Sequence, residues 1–304
     1  MRIAYRGNFQ PGVNDPWSTE TEIALALADL GHDVLRCQED AVDWERQLAV
    51  ARSCDLFIWT RTASLDVHPG AREALATMPC PSVGLHLDRW WSLDREDAIR
   101  TEPYFACTVM ATADGDAPWE SFGIRHVWFP PAVGARHCWL APRSVSTPAL
   151  FVGSWRRYHR QWIEERRRLV REVSRLGGEV IEGGCRNACL NHAVARAEVT
   201  FGDSCQASSS KRYFSDRPFE MVGRGALLAQ RRVEALTEML EPGVHCLYWE
   251  DVAEVAGVLD WVRRNPEKAE RIRLAGFEHV RRHHTYQRRL EGLLEELRCS
   301  IPGF

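Results

Sequence analysis

The stretch "KRYFSDRPFEMVGRGALLAQ", Lys211–Gln230, decides how the chain is read. A helix runs through it and Gly225 lets that helix turn into the apolar strand "ALLA" (226–229). Glu220 follows Arg217 closely, and behind it come Gly223, a second arginine, Arg224, and Gly225. A plain core helix needs none of this. A carboxylate can accept two hydrogen bonds from a vicinal diol, and guanidinium groups neutralise phosphate charge. Arg217 and Arg224 are seven residues apart, which puts both near one face of an ideal helix. The pattern suits a helix that opens toward a phosphate and a sugar. The bland alternative is a solvated glutamate with arginines that cap the helix or pair with acidic neighbours.

Outward from this stretch, short apolar runs alternate with helical segments. Strands are read at 2–5, 33–37, 55–59, 82–87, 106–111 and 124–129, then at 149–153, 178–183, 197–203, 226–229 and 245–250. Between the first two, "STETEIALALADLGH" carries one apolar face of Ile23, Ala26, Leu27 and Leu30, with Thr19 and Glu22 as a capping box and Gly31 as the stop. Strand, glycine-containing loop, helix and strand in that order are the signature of a parallel α/β sheet. The proline-rich stretch 130–149 reads as an interdomain linker. The end of the chain, from Val252, is helical, with Pro266 at a helix start and Asn265 as its cap. Two such α/β units in tandem imply two parallel-sheet domains facing a cleft, with ligands at the carboxyl ends of the strands.

Composition narrows the function. Of 304 residues, 45% are hydrophobic and 27% charged, which is ordinary for a globular protein. No apolar run approaches the roughly 20 residues of a membrane helix, and "MRIAYRGNFQ" enters a strand directly, so a cytoplasmic protein is expected. The net charge of −3 gives no global footprint for nucleic acid. Lysine occurs only at positions 211 and 268, and a local arginine cluster spans 156–171 with glutamates interleaved. Arg166, Arg167 and Arg168 read there as part of an exposed helix face. The ten cysteines are scattered, with Cys185 and Cys189 the closest pair. No metal site is read from their spacing. The first strand-to-helix loop lacks a G-x-G-x-x-G fingerprint, which disfavours a dinucleotide cofactor.

The second half resembles the C-terminal half of GT-B glycosyltransferases, the family-four-like or "group 1" glycosyl transferases, phage-associated members included. The resemblance rests on Phe219, Glu220, Gly225 and Leu228, then Pro242, Gly243 and Tyr248, then Ala275, Gly276, Val280, His284, Thr285 and Tyr286. It implies a GT-B fold: an N-terminal Rossmann-like acceptor domain over 1–135, a linker over 136–148 and a C-terminal Rossmann-like donor domain over 149–284. The final helix, 285–304, is then expected to pack back on the N-terminal domain.

The same resemblance implies the site. Glu220 would bind the ribose of a nucleotide-sugar donor. Backbone N–H groups at Phe214, Ser215 and Asp216, with Arg217 and Arg224, would hold the diphosphate, together with the loop at Gly153 and a basic residue among Arg156, Arg157 and Arg160. The loop of Gly7, Asn8 and Gly12 would lie near the phosphates or the acceptor. His86 and Asp88, at the carboxyl end of the fourth strand, would act in catalysis, with a core histidine as the bland alternative for His86. Trp90 and Trp91 would stack a sugar or base, or simply pack a core. The expected activity is transfer of a hexosyl or pentosyl group, with retention, without a metal or other cofactor. A hydroxymethylated base of phage DNA is one expected acceptor, in the host cytoplasm, and a small metabolite or envelope glycan is another. One departure stands out. Relatives with an E-x7-E motif carry a first glutamate where this chain has Arg212, which also admits a non-catalytic nucleotide-binding or assembly protein.

Overall fold

The structure is a computed structural model. It describes residues 1–12, 18–39, 43–60, 65, 68–87, 104–111, 125–155, 160–183, 185–204 and 211–301. The chain divides into two compact units: Met1–Pro131 with Tyr286–Phe304, and Ala132–Thr285.

The first unit is built on a parallel sheet of β1 (Arg2–Gly7), β2 (Asp33–Gln38), β3 (Leu56–Thr60), β4 (Ser82–His86), β5 (Cys107–Met110) and β6 (His126–Trp128), in the order β2-β1-β3-β4-β5-β6. The central strands are apolar on both faces because helices cover both sides of such a sheet. Ile3, Ala4 and Tyr5 have no exposed surface, and neither do Leu56, Phe57 and Trp59. Helix α1 (Thr19–Asp29) joins β1 to β2. Its cap is Ser18, not Thr19. Ser18 is extended, and its Oγ accepts from the Thr21 N–H at 3.1 Å, which leaves Thr19 as the first helical residue. Gly31 ends the helix at φ 84, and His32 N–H reaches back to the Leu27 carbonyl.

Two short helices, α2 (Trp44–Ala51) and α3 (Ala71–Ala76), complete the described helices before β4. They span too few turns to show a periodicity in the sequence.

The second unit carries β7 (Thr147–Val152), α4 (Arg160–Arg175), β8 (Glu179–Ile181), α5 (Ala188–Arg196), β9 (Ala197–Gly202), α6 (Arg217–Gly223), β10 (Leu228–Arg231), α7 (Glu234–Met239), β11 (Leu247–Trp249), α8 (Val255–Arg264) and α9 (Pro266–His283). Its sheet is parallel in the order β11-β10-β9-β7-β8. Phe151, Phe201 and Trp249 pack with Leu169, Val173, Leu259 and Ile272 in one core. Asn265 does not cap α9 with its side chain. Its Nδ2 donates instead to the Trp261 carbonyl at 2.8 Å, closing the end of α8.

The last helix, α10 (Tyr286–Ser300), belongs to the first unit. Leu290, Leu293, Leu294 and Leu297 form its buried stripe. Gln287 donates to Asp29 of α1 at 2.7 Å, and Arg289 donates to the Pro130 carbonyl at 3.2 Å.

A histidine cluster ties α9 to the loop before β11. The rings of His245 and His279 stack at 3.9 Å. His279 Nε2 lies 2.9 Å from the Met239 carbonyl and 3.0 Å from His284 Nε2. His284 in turn stacks on Phe219 of α6 at 4.8 Å. Burial holds His245 and His279 below the ordinary histidine value, with neighbouring imidazoles adding to the effect and Glu241 opposing it at His245. The unfolded chain therefore takes up protons before the folded cluster does. Stability should be lost as pH falls through about 6.5 and stay lost below the depressed values. The urea midpoint of the second unit should thus be lower at about pH 5.5 than at about pH 8. An unchanged midpoint in His279→Gln and a pH-dependent one in the parent would tie the loss to this cluster.

Candidate active site

In the second sheet the strand order reverses between β7 and β9. In open α/β sheets this switch point opens a crevice at the carboxyl ends of the strands. Gly153 and Ser154 follow β7 there, and Asp203 and Ser204 follow β9. Arg166 of α4 locks the two loops together. Its Nε and Nη2 grip both oxygens of Asp203 at 2.8–3.1 Å, and its Nη1 donates to the Ser154 carbonyl at 2.8 Å. Arg166 is only 9% exposed. This corrects the expectation of a solvated face over Arg166–Arg168. Arg168 is exposed beside Asp251, and Arg167 is half-exposed beside Glu164, but Arg166 is inside. The signal was present: Ile163, Arg166, Val170 and Val173 share one stripe of α4.

Gln230, at the end of β10, is also fully buried and was missed. Its Nε2 reaches Ser204 Oγ at 3.3 Å, while its Oε1 has no hydrogen-bond partner among the described residues. A Cβ at Gly202 would lie 2.2 Å from that Oε1. Any larger residue at 202 would push the Gln230 amide out of its present place.

Helix α6 brings three sequence-predicted residues together. Arg217 Nη1 lies 2.5 Å from Glu220 Oε2, and Arg224 Nη2 lies 3.4 Å from Glu220 Oε1. Arg224 also donates to Asn191 Oδ1 of α5 at 2.6 Å. The Arg224 side chain is only 3% exposed, whereas Arg217 is 35% and Glu220 24%. Arg224 is therefore a buried anchor under Glu220, and Arg217 is the more accessible cation. Phe214 is buried against Phe219, and Ser215 and Asp216 are half-buried at the helix start. The helix has seven residues, so its dipole is weak and side-chain charge must do most of any phosphate binding. Gly225 leaves the helix at φ 78, and its carbonyl accepts from Arg273 at 2.9 Å. Arg212 is half-buried.

In the first unit, Gly7 ends β1. A Cβ there would press on Glu20 at 3.2 Å. Asn8 accepts from Gln38 at 3.2 Å, and Gly12 sits at φ 74 with no atom of the described residues within 4 Å of where its Cβ would be. Arg6, not singled out in the sequence, is 1% exposed, and its guanidinium carbon lies over the rings of both Trp44 and Trp59, 4.3 and 4.8 Å away. His86 is the last residue of β4 and has no exposed surface. That places its ring in the core, the plainer of its two expected environments. Asp88, Trp90, Trp91, Arg156 and Arg157 lie outside the described residues, as does the side chain of Arg160.

Residues 148–295 match the family model described as "Glycosyl transferase-like". No curated protein matches the chain by sequence. Among solved structures, HepE of Anabaena in complex with UDP-glucose superposes with a TM-score of 0.63 at 13% identity, covering 98% of this chain and 100% of that one. An alpha-glucosyltransferase in complex with UDP and a 13-mer DNA containing an HMU base gives 0.64 at 11% identity, over 97% and 98% of the two chains. The chain has the GT-B fold. The beta-glucosyltransferase of phage T4 gives 0.61 at 11% identity, over 99% and 100%. A GT-B chain thus stands beside both an alpha- and a beta-glucosyltransferase, so the fold does not choose the anomeric product. Among the described residues no group of three or more His, Cys, Asp or Glu is placed to hold a metal ion, and no helix is long and apolar enough to cross a membrane.

Proposed function

We propose that the chain is a nucleotide-sugar-dependent glycosyltransferase. The observation that carries this is the Glu220 carboxylate, partly exposed and flanked by two guanidinium groups, within the matched residues 148–295. On this reading Glu220 accepts hydrogen bonds from the ribose diol. Arg224 stays buried and fixes the carboxylate, and Arg217 turns to the diphosphate. The loops locked by Arg166 and Asp203 supply backbone N–H groups, so the charge is carried without a metal. UDP sugars are the first donors to test, because structural neighbours hold UDP or UDP-glucose.

Glu220→Ala is expected to weaken UDP binding about tenfold, or about 1.4 kcal/mol, in a calorimetric titration. Glu220→Gln keeps one acceptor and should lose less. Equal affinity in all three proteins would remove the ribose assignment.

The acceptor we favour is a hydroxymethylated base in DNA, transferred to with retention. Structural neighbours include an enzyme bound to DNA with an HMU base. Burial of His86 supports retention, since an inverting transfer needs a base that reaches the acceptor hydroxyl. Incubation with labelled UDP-glucose and hydroxymethylated duplex should label the DNA, and the anomeric proton coupling of the product reads the stereochemistry. The net charge of −3 favours a second reading, transfer to a small metabolite or envelope glycan. Arg212, at the place of the family's first glutamate, favours a nucleotide binder without turnover. UDP-glucose that is bound but never consumed, with any acceptor, would support that last case.

A further inference from the structure

The turn between β8 and α5 holds chemistry that glycosyl transfer does not use. Cys185 and Cys189 are both free and four residues apart, across a turn that the Cys189 N–H closes onto the Arg186 carbonyl at 3.2 Å. Cys189 is exposed in the first turn of α5, and Cys185 is half-buried in the preceding loop. Asn187, between them, stands at φ 49 and ψ −121, the one non-glycine residue with positive φ among those described. The backbone between the two cysteines is thus already sharply bent. It also leads directly to the candidate site: Asn191, two residues beyond Cys189, accepts from Arg224 at 2.6 Å, and Cys185 itself lies within electrostatic reach of Arg224.

We propose that Cys185 and Cys189 are a disulfide-forming site for peroxides, and that the bond loosens the hold of Asn191 on Arg224. The exposed Cys189 attacks, as thiolate, one oxygen of hydrogen peroxide. The O–O bond breaks, a sulfenic acid forms on Cys189, and the leaving hydroxide becomes water with the thiol proton. The Cys185 sulfur then attacks the sulfenic sulfur. The S–O bond breaks, the disulfide forms, and the departing hydroxide takes the Cys185 proton as a second water. Two thiols lose two electrons and two protons in all, and one peroxide is reduced to two waters. The roles follow from position: burial, with Cys189 beside it, pushes Cys185 up to about 12, so Cys185 keeps its proton until the second step. Closing the sulfurs to a bond of about 2.05 Å draws the first turn of α5 toward the loop. Asn191 lies on that turn and moves with it.

The test uses the full chain, treated with hydrogen peroxide and digested under denaturing, thiol-blocking conditions. The expected result is a 185–189 cross-linked peptide, abolished in Cys189→Ser and reversed by dithiothreitol. Amide exchange over Arg217–Gly225, read without any nucleotide, should be several-fold faster in the oxidised parent than in the reduced one, and unchanged by peroxide in Cys189→Ser. Separate sulfinic acids on the two cysteines would overturn the pairing. A cross-link with unchanged exchange over Arg217–Gly225 would overturn the link to Arg224. Neither readout depends on the chain being a glycosyltransferase.

Discussion

Asp203→Ala is expected to destabilise the unit spanning Ala132–Thr285 by about 3 kcal/mol, and to lower its urea midpoint accordingly. The substitution leaves the Arg166 guanidinium inside, still donating to the Ser154 carbonyl but stripped of both carboxylate oxygens. A buried ion that loses its counter-ion costs far more than a surface pair, whose worth is about 0–1 kcal/mol. Arg166→Met should cost less than Arg166→Ala, because methionine can fill the stem's place against Phe151 and the stripe of α4. The double variant Arg166→Met with Asp203→Ala should recover part of the loss. Strict additivity of the two single changes would mean that the pair is not coupled. The same variants probe function, since the two loops they join frame the switch point where a donor diphosphate is proposed to bind.

The second large effect is expected at Gly276. An alanine in a helix interior ordinarily gains about 1 kcal/mol over glycine. Here the added Cβ would lie 2.2 Å from the His245 carbonyl oxygen and 3.2 Å from a methyl of Val222. A backbone carbonyl cannot swing aside as a side-chain end can, so α9 must move off both α6 and the loop before β11. Overpacking of this kind costs about 1–3 kcal/mol and occasionally more. The net expectation for Gly276→Ala is a loss of about 2–3 kcal/mol. Gly292, on α10, has nothing within 4 Å of its missing Cβ, so Gly292→Ala should stabilise by up to about 1 kcal/mol. Comparing the two thermal midpoints separates packing from propensity: both shifting upward would sink the steric argument.

Gly276 shows what the sequence made legible. The "AG" step of the C-terminal motif is conspicuous as a pattern, and the structure supplies its cause in one close approach of two backbones. Strands were readable for a similarly local reason. Runs such as "DLFIW" are apolar on both faces because a parallel sheet is covered on both sides, so each strand declares itself without reference to its neighbours. Helices α2, α3, α5 and α7 did not, since six to nine residues give too few turns for a face to emerge.

The candidate site divides along the same line. Glu220 and Arg217 are within one helix and Arg224 is the residue that ends it, and their spacing alone brought them together. Arg166 and Asp203 are 37 residues apart, and nothing local distinguishes Arg166 from Arg167 except its place on an apolar stripe. Gln230 and Arg6 are harder still. Each is a polar side chain in a strand whose burial depends on neighbours from other elements: Ser204 for the glutamine, Trp44 and Trp59 for the arginine.

The division of the chain has a consequence for its synthesis. One unit is interrupted: it takes Met1–Pro131 and then waits for Tyr286–Phe304, while Ala132–Thr285 is a single continuous run. On a ribosome the later-starting unit is therefore the earlier to be complete. The first sheet emerges with α1 lacking the leucine stripe of α10 that covers it, and it must stay so while more than half the chain is made. Apolar surface left bare during that interval is a target for chaperones and for aggregation. Substitutions in the last helix should then act on yield from the cell more strongly than on the stability of protein already folded.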